Sequence, residues 1–412
     1  MEKPLQPSTA PTQAVVLAGG LGTRLGELTR ACPKPLIPVG GKPFLEYLLW
    51  NLKRHGVTRV VLSIGYLAEQ IQAHFGDGSR FGLEVEYVIE HEPAGTGGAV
   101  KLCLSRLDER FYVLNGDTLF DVNYLRLFSD WPKDHRGACI ALRRVQDVAR
   151  YGEVVRDDQR RVTQFAEKSR SGPGWINGGI YLMDRAVIEA LPEGKSSLEN
   201  DCFPKLAEAG QLVADAFEGF FIDIGLPETL AEGQTTLPAW QQRPCAFLDR
   251  DGTLNVDHAY VHTPEKFDWT EDAIEAVRWL NESGYLVIVV TNQAGIGRGY
   301  YTEAQFHALM QWMNAELRRH GAHIDAYEFS PYHAEHGVGA YRRESACRKP
   351  NPGMLLRAMD AWPIQREGSF ICGDKPKDIE AGRRAGLPGV LYAGGSLLQV
   401  IRQAVETGHW TQ

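Results

Sequence analysis

Apolar runs and amphipathic stretches alternate along the first 230 residues. Residues 14–18 form a short apolar run of the kind a buried strand needs. Residues 43–55 carry helical spacing, with Pro43 at the start and Gly56 just past the end. The same reading predicts strands at 59–63, 83–89 and 111–114, and helices at 67–75 and 97–107. Strands alternating with helices predict a mostly parallel sheet covered on both faces. The pattern continues less cleanly to Leu230. Residues 231–244 are polar and contain Pro238 and Pro244, which predicts an interdomain linker. A second series follows, with strands at 246–248, 285–290, 327–330 and 369–372. Helices fall near 271–283, 302–319, 352–361 and 376–385. The expected fold class is α/β with two domains, 13–230 and 245–412, each built on a Rossmann-like sheet.

Bulk properties narrow the function. A chain of 412 residues is long enough for two or three domains, each with its own core. The net charge of −8 argues against a general nucleic-acid binder. It leaves phosphorylated small molecules open, because local Lys and Arg clusters decide those. Seven scattered cysteines without a C-x-x-C pair suit a reducing cytoplasm. Residues 1–13 are polar and read as a lead-in rather than a secretory signal. No run of about 18 apolar residues exists, so no membrane helix is expected. Homo-oligomer formation stays open.

The densest candidate chemistry follows the strand at 246–248. Asp249 and Asp251 are two residues apart, so on an extended strand they project together. The C-terminal ends of such strands are where α/β sheets place ligand crevices. One carboxylate can attack phosphorus while its neighbour handles protons, with magnesium between phosphate and protein. Thr291 ends the next strand with a hydroxyl, Arg348 and Lys349 bring positive charge, and Asp374 ends another strand.

A second candidate lies upstream. Gly19, Gly20 and Gly22 follow the first strand and let backbone N–H groups approach phosphate oxygens. Arg24 and Lys34 add positive charge. The loop has neither G-x-G-x-x-G nor G-K-[ST], so it is not a dinucleotide fingerprint or a P-loop.

Together with 92–99, Asn115 to Asp117, Glu167 and Lys168, 177–179 and 221–225, this loop resembles the nucleotidyltransferases that make nucleoside-diphosphate sugars. The resemblance covers 13–230. It implies in-line attack by a sugar 1-phosphate on the α-phosphorus of a nucleoside triphosphate. On that resemblance Gly19, Gly20 and Gly22 line the nucleotide, and Arg24 and Lys34 stabilise the phosphates. Asp117 and Asp223 hold magnesium. Lys168 grips the sugar phosphate, Glu167 and Asn177 bind sugar hydroxyls, and Glu92 and Gly97 belong to the substrate-binding set. Many members have Arg-Pro or Lys-Pro where this chain has Gly26 and Glu27.

The downstream set resembles the haloacid-dehalogenase-type phosphatases. That implies Asp249 as nucleophile and Asp251 as acid and base. Magnesium would be held by Asp249, the Asp251 carbonyl and Asp374, and phosphoryl charge by Thr291 and Lys349. Residues 249–262 and 291–299 resemble the subfamily of heptose 1,7-bisphosphate 7-phosphatases, near relatives of histidinol-phosphate phosphatases. In that subfamily the positions of Arg250, Asp257, His258, Ala259, Tyr260, Asn292, Gln293, Ala294, Arg348 and Lys375 contact substrate. The short stretch after Asp251 leaves no room for a large cap. Relatives carry zinc in the loop before Arg348. Here Ser330, Tyr332 and Ser345 replace three ligands and Cys347 remains; His333 and His336 could ligate in principle, but loop histidines are more often solvated, so no zinc is expected and the loop should be held by packing alone.

The first half is similar to heptose 1-phosphate guanylyltransferases. The pair therefore implies heptose phosphates and GTP as substrates and a GDP-heptose as product. Two alternatives stay open. One is mannose or glucose 1-phosphate in the first domain with histidinol phosphate in the second. The other is a non-catalytic sugar-nucleotide sensor attached to a phosphatase.

Overall fold

The computed structural model describes residues 10–131, 136–149, 152–165 and 171–411. The two apolar series correspond to two units, divided between Trp240 and Gln241. The first is built on a seven-stranded sheet. Its order is Leu212–Phe217, Ala138–Val145, Gly174–Asp184, Arg110–Asn115, Gln13–Ala18, Arg59–Ile64 and Glu84–Ile89. All neighbours are parallel except Gly174–Asp184, which runs antiparallel to both of its partners. Ala14, Val16 and Ala18 enter one core and Val15 the other, as the two-residue pleat requires. Both faces are buried, so these strands read as continuous apolar runs rather than alternating ones.

This register places the upstream chemistry. Leu17 pairs with Asn115, and the N–H of Gly116 donates to the Leu17 carbonyl at 2.9 Å. The glycine loop and Asp117 therefore leave neighbouring strand ends together. A short antiparallel pair, Thr118–Phe120 with Phe221–Asp223, brings Asp223 to the same place. The Ile224 N–H donates to the Asp117 carbonyl at 3.0 Å.

The expected linker at 231–244 is corrected by the structure. A helix, Pro227–Gln241, runs through most of it and belongs to the first unit. Leu230, Gly233 and Leu237 are buried along one narrow stripe, which the polar composition hides. The Gln234 amide donates to the Pro38 carbonyl and accepts from the Gly40 N–H, both at 3.0 Å. Trp240 stacks on Phe220 and meets Trp50 edge-on.

The second unit has a five-stranded, all-parallel sheet. Its order is Ala326–Ser330, Leu286–Asn292, Cys245–Leu248, Phe370–Gly373 and Gly389–Leu391. Helices Ala273–Glu282, Glu303–Arg319, Gly353–Ala361, Pro376–Ala385 and Leu397–Thr407 accompany it. Thr302 and Gln305 form a reciprocal capping box at the start of Glu303–Arg319. The order departs in both directions from Cys245–Leu248, so its C-terminal end is a topological switch point. Asp249, Thr291 and Asp374 converge there. Among the described residues, no helix is long and apolar enough to cross a membrane.

Candidate active sites

In the second unit, Asp249 leaves the central strand with its N–H donating to the Cys372 carbonyl at 2.9 Å. Lys349 Nζ lies 2.9 Å from Asp249 Oδ1 and 2.7 Å from Asp378 Oδ1. Burial alone would pull the Lys349 ammonium down, but the Asp249 and Asp378 carboxylates hold it above the usual lysine value. Burial and the Asp249 charge together push the Asp378 carboxyl up. The structure therefore places Lys349 beneath Asp249, fully buried, and not on the cavity wall where the expected phosphoryl contact would put it.

Asp251 is fixed by its neighbours. The Arg250 guanidinium donates to both Asp251 oxygens, at 2.7 and 2.8 Å. Gln293 Nε2 donates to Asp251 Oδ2 at 2.9 Å and to Thr291 Oγ1 at 2.8 Å. Tyr301 donates to the Gln293 carbonyl oxygen. Arg250 is fully buried and also donates to the Val261 carbonyl. Its expected substrate contact is corrected: the side chain positions Asp251 and the loop from inside. His258 likewise turns away from the cavity to an exposed partner, Asp268, at 2.7 Å.

The remaining expected residues surround a cavity of about 330 Å³: Asp257, Ala259, Tyr260, Asn292, Gln293, Ala294, Arg348 and Lys375. Ala259 and Tyr260 both take left-handed backbone angles, φ 58° and 57°, which non-glycine residues adopt at a cost of about 1–3 kcal/mol each. Lys375 binds Asp257 at 3.1 Å and Asp374 at 3.4 Å. Burial works against the Asp257 charge, but Lys375 keeps its carboxyl below the usual value. The Asn292 amide exchanges two hydrogen bonds with the Lys349 backbone, each 3.0 Å.

Gly295, Arg298, Tyr301 and Lys377 also line the wall without an expected role, and so does His333, which the sequence offered only as a possible metal ligand of the loop before Arg348. Burial lowers the Arg348 pKa, and the nearby Arg298 charge lowers it further. Burial, then Arg348, lowers that of His333. These three groups cluster at one end of the cavity. The GIGRG segment containing Arg298 was visible in the sequence, but no spacing signalled that its arginine would turn inward.

The donor set fits a divalent cation. Carboxylate oxygens of Asp249, Asp374 and Asp378 lie within 4.8 Å of one another. Asp374 Oδ1 is buried without a hydrogen-bond partner. Burial and Asp249 raise the Asp374 carboxyl, a repulsion that a hard cation would relieve. Asp378 joins the cluster, whereas the expected set had only Asp249, Asp251 and Asp374.

The loop before Arg348 is not held by packing alone. The Tyr341 hydroxyl donates to Glu303 at 3.0 Å, and Arg348 donates to the Tyr332 carbonyl at 3.0 Å. Ser330 ends its strand fully buried, the Ser345 hydroxyl accepts from the Cys347 N–H, and Cys347 is approached by Arg357.

The first unit presents a cavity of about 700 Å³. Gly19, Gly20, Gly22, Lys34 and Asp117 are in its wall. Gly22 takes φ 62°, and a Cβ on Gly19 would meet Glu90 Oε1 at 2.3 Å. The left-handed angle favours glycine at Gly22, and a side chain at Gly19 would require the Glu90 carboxylate to move. Lys34 Nζ binds Asp117 Oδ2 at 2.6 Å. Burial, then the Asp117 charge, raises the Asp223 carboxyl. These paired carboxylates suit a hard divalent cation, with Lys34 already on one oxygen. Glu90, missed in the sequence, accepts from Ser63 at 2.8 Å and faces the cavity.

Other expected residues are placed differently. Arg24 is exposed on a single turn, Thr23–Leu25. Glu92 is exposed outside the wall. Gly97 is corrected: its N–H donates to the Ser196 carbonyl at 2.9 Å, and a Cβ would meet Ser196 Oγ at 2.7 Å. It packs a helix against 194–196 instead of touching the cavity. Asn177 sits at a register shift and donates to the Tyr181 hydroxyl at 3.0 Å, which in turn donates to Glu199 at 3.3 Å. Glu167 and Lys168 lie outside the described residues.

Comparison with known proteins matches the two units separately. Residues 13–239 match the Nucleotidyl transferase family and residues 346–407 the HAD-hydrolase-like family. The D-glycero-alpha-D-manno-heptose 1-phosphate guanylyltransferase of Campylobacter jejuni is 42% identical over 221 residues, 52% of this chain and 96% of that one. The D-glycero-beta-D-manno-heptose-1,7-bisphosphate 7-phosphatase of Rhodopseudomonas palustris is 42% identical over 164 residues, 40% of this chain and 91% of that one. The solved structure of HddC from Yersinia pseudotuberculosis superposes with a TM-score of 0.50 at 36% identity, covering 55% of this chain and 99% of that one. The chain is therefore a fusion that belongs to the nucleotidyl transferases through its first unit and to the HAD-like heptose-bisphosphate phosphatases through its second.

Proposed function

We propose that the chain catalyses two consecutive steps of nucleotide-activated heptose synthesis. The second unit removes the 7-phosphate from D-glycero-D-manno-heptose 1,7-bisphosphate. The first unit transfers GMP from GTP to the resulting heptose 1-phosphate, and pyrophosphate leaves. In the phosphatase, an Asp249 oxygen attacks phosphorus and Asp251 protonates the departing 7-oxygen. Asp251 then deprotonates the water that cleaves the aspartyl phosphate. Lys349 orients the nucleophile, and Thr291 donates to the phosphoryl group. Magnesium, held by Asp249, Asp374 and Asp378, would supply charge neutralisation there.

One observation carries the bisphosphate reading. Arg298, Arg348 and His333 gather at one end of the cavity, where Glu335 acts on His333 but neither arginine has a carboxylate ion-paired to it among the described residues. A second phosphate would balance that charge; the imidazole and amine of histidinol phosphate would not. The test compares Arg298→Ala with the natural chain on the bisphosphate and on a monophosphate. A loss confined to the bisphosphate is expected, and equal losses would refute the distal-phosphate role.

In the transferase, Lys34 and Arg24 neutralise the phosphates, and Asp117 and Asp223 hold magnesium. Glu90 offers two acceptor oxygens to the adjacent N1–H and amino donors of guanine, which supports GTP. The guanylyltransferase relatives are named for the alpha anomer and the phosphatase relatives for the beta anomer. A phosphate on the anomeric oxygen blocks ring opening, so configuration cannot change between the two steps. Consecutive action therefore requires both units to accept the same anomer, the alpha form if the transferase unit follows its relatives. Rates on the two separated anomers test this.

A further inference from the structure

Three lysines surround Asp249, and their partners differ. Lys349 is fully buried and shared by Asp249 and Asp378. Lys375 is held by Asp257 and Asp374. Lys377 lines the cavity, half-buried, with no hydrogen bond or ion pair among the described residues. It is also the second residue of the helix Pro376–Ala385. A cation in a helix's first turn opposes the macrodipole. Its partial burial adds a desolvation cost that no protein carboxylate offsets by direct contact. Lys377 and Asp249 line the same cavity, and the Asp249 charge acts on the ammonium. An anion delivered to Asp249 would remove both penalties. The cation expected on the phosphoryl group, Lys349, is beneath the nucleophile and already engaged.

We propose that Lys377 is a further catalytic residue of the phosphatase unit, donating to a non-bridging phosphoryl oxygen during transfer to Asp249. This rests on the aspartyl-phosphate reading above. The bond from phosphorus to the substrate oxygen breaks as the bond to the Asp249 oxygen forms. The leaving oxygen takes its proton from Asp251, and Lys377 keeps its own. Lys377 neutralises charge on the group in flight, as a preorganised donor should.

The test measures phosphate release from p-nitrophenyl phosphate and from heptose 1,7-bisphosphate, with inorganic phosphate as inhibitor, in the full chain with magnesium. Lys377→Met should lower kcat/KM by about 10²-fold on both substrates, the size of losing one preorganised donor. Inhibition by inorganic phosphate should weaken in parallel. Lys377→Arg should recover most of the activity, and neither variant should lower the thermal midpoint. Lys377→Gln replaces the Met variant if that fails to fold. Unchanged rates would overturn the proposal. So would a loss confined to the bisphosphate, which would put Lys377 on the distal phosphate. Equal losses in the Met and Arg variants with a lowered midpoint would make the role structural. A natural chain inactive on both substrates would refute the phosphatase reading itself, which the other outcomes leave intact.

Discussion

The two cavities solve the same electrostatic problem with different materials. Both open at the C-terminal ends of parallel strands and both gather aspartates. In the first unit the wall holds six glycines and a single lysine around a cavity of about 700 Å³. In the second, a cavity of about 330 Å³ sits over a buried ion-pair cluster in which Lys349 bridges Asp249 and Asp378. A reaction that joins two substrates needs room and N–H donors and asks little covalent chemistry of the protein. A reaction through a covalent intermediate needs one oxygen held still. Buried charge marks the second kind of site, and close backbone approach marks the first.

The contrast can be broken most sharply at the nucleophile. Asp249→Asn should cut phosphate release by at least about 10³-fold, since no other oxygen replaces the attacking one. Nucleotidyl transfer should persist. Asp117→Ala should do the reverse, lowering pyrophosphate release by roughly 10²–10³-fold while phosphate release continues. Loss of both activities in either folded variant would contradict separate sites.

Stability should separate the units as well. Lys349→Met leaves Asp249 and Asp378 buried without their cation and should cost about 3–5 kcal/mol in denaturant unfolding of the second unit. No single lysine in the first cavity should cost as much, because Lys34 pairs with a partly exposed Asp117. Magnesium at 100 times its dissociation constant should stabilise the metal-free second unit by about 2.7 kcal/mol. A thermal shift series with and without chelator reads this. At the small end, Thr302→Ala removes a capping box and should cost about 1 kcal/mol.

The sequence was most legible where chemistry is local. Asp249 and Asp251 declare themselves because two carboxylates close an apolar run, although the strand ends at Leu248 and Arg250 and Gln293, not the pleat, hold Asp251. Thr291 and Asp374 follow because parallel strands share one edge. Arg250 misled because adjacency to the aspartates does not show which way a side chain turns; it is buried and bonded to Asp251. Gly97 misled because a glycine needed for helix packing looks like one needed for a ligand. Residues 231–241 misled because a helix burying only Leu230, Gly233 and Leu237 has a polar composition. Lys377 and Arg298 could not be found, since long flexible side chains reach their cavity only through tertiary placement.

Supplying purified D-glycero-α-D-manno-heptose 1,7-bisphosphate, GTP and magnesium to the full chain, and counting products, tests the consecutive-step claim most directly. The prediction is one inorganic phosphate, one pyrophosphate and one GDP-heptose per sugar consumed, with no pyrophosphate formed when Asp249→Asn replaces the natural chain. Phosphate release without pyrophosphate, or pyrophosphate release that survives Asp249→Asn, would contradict it.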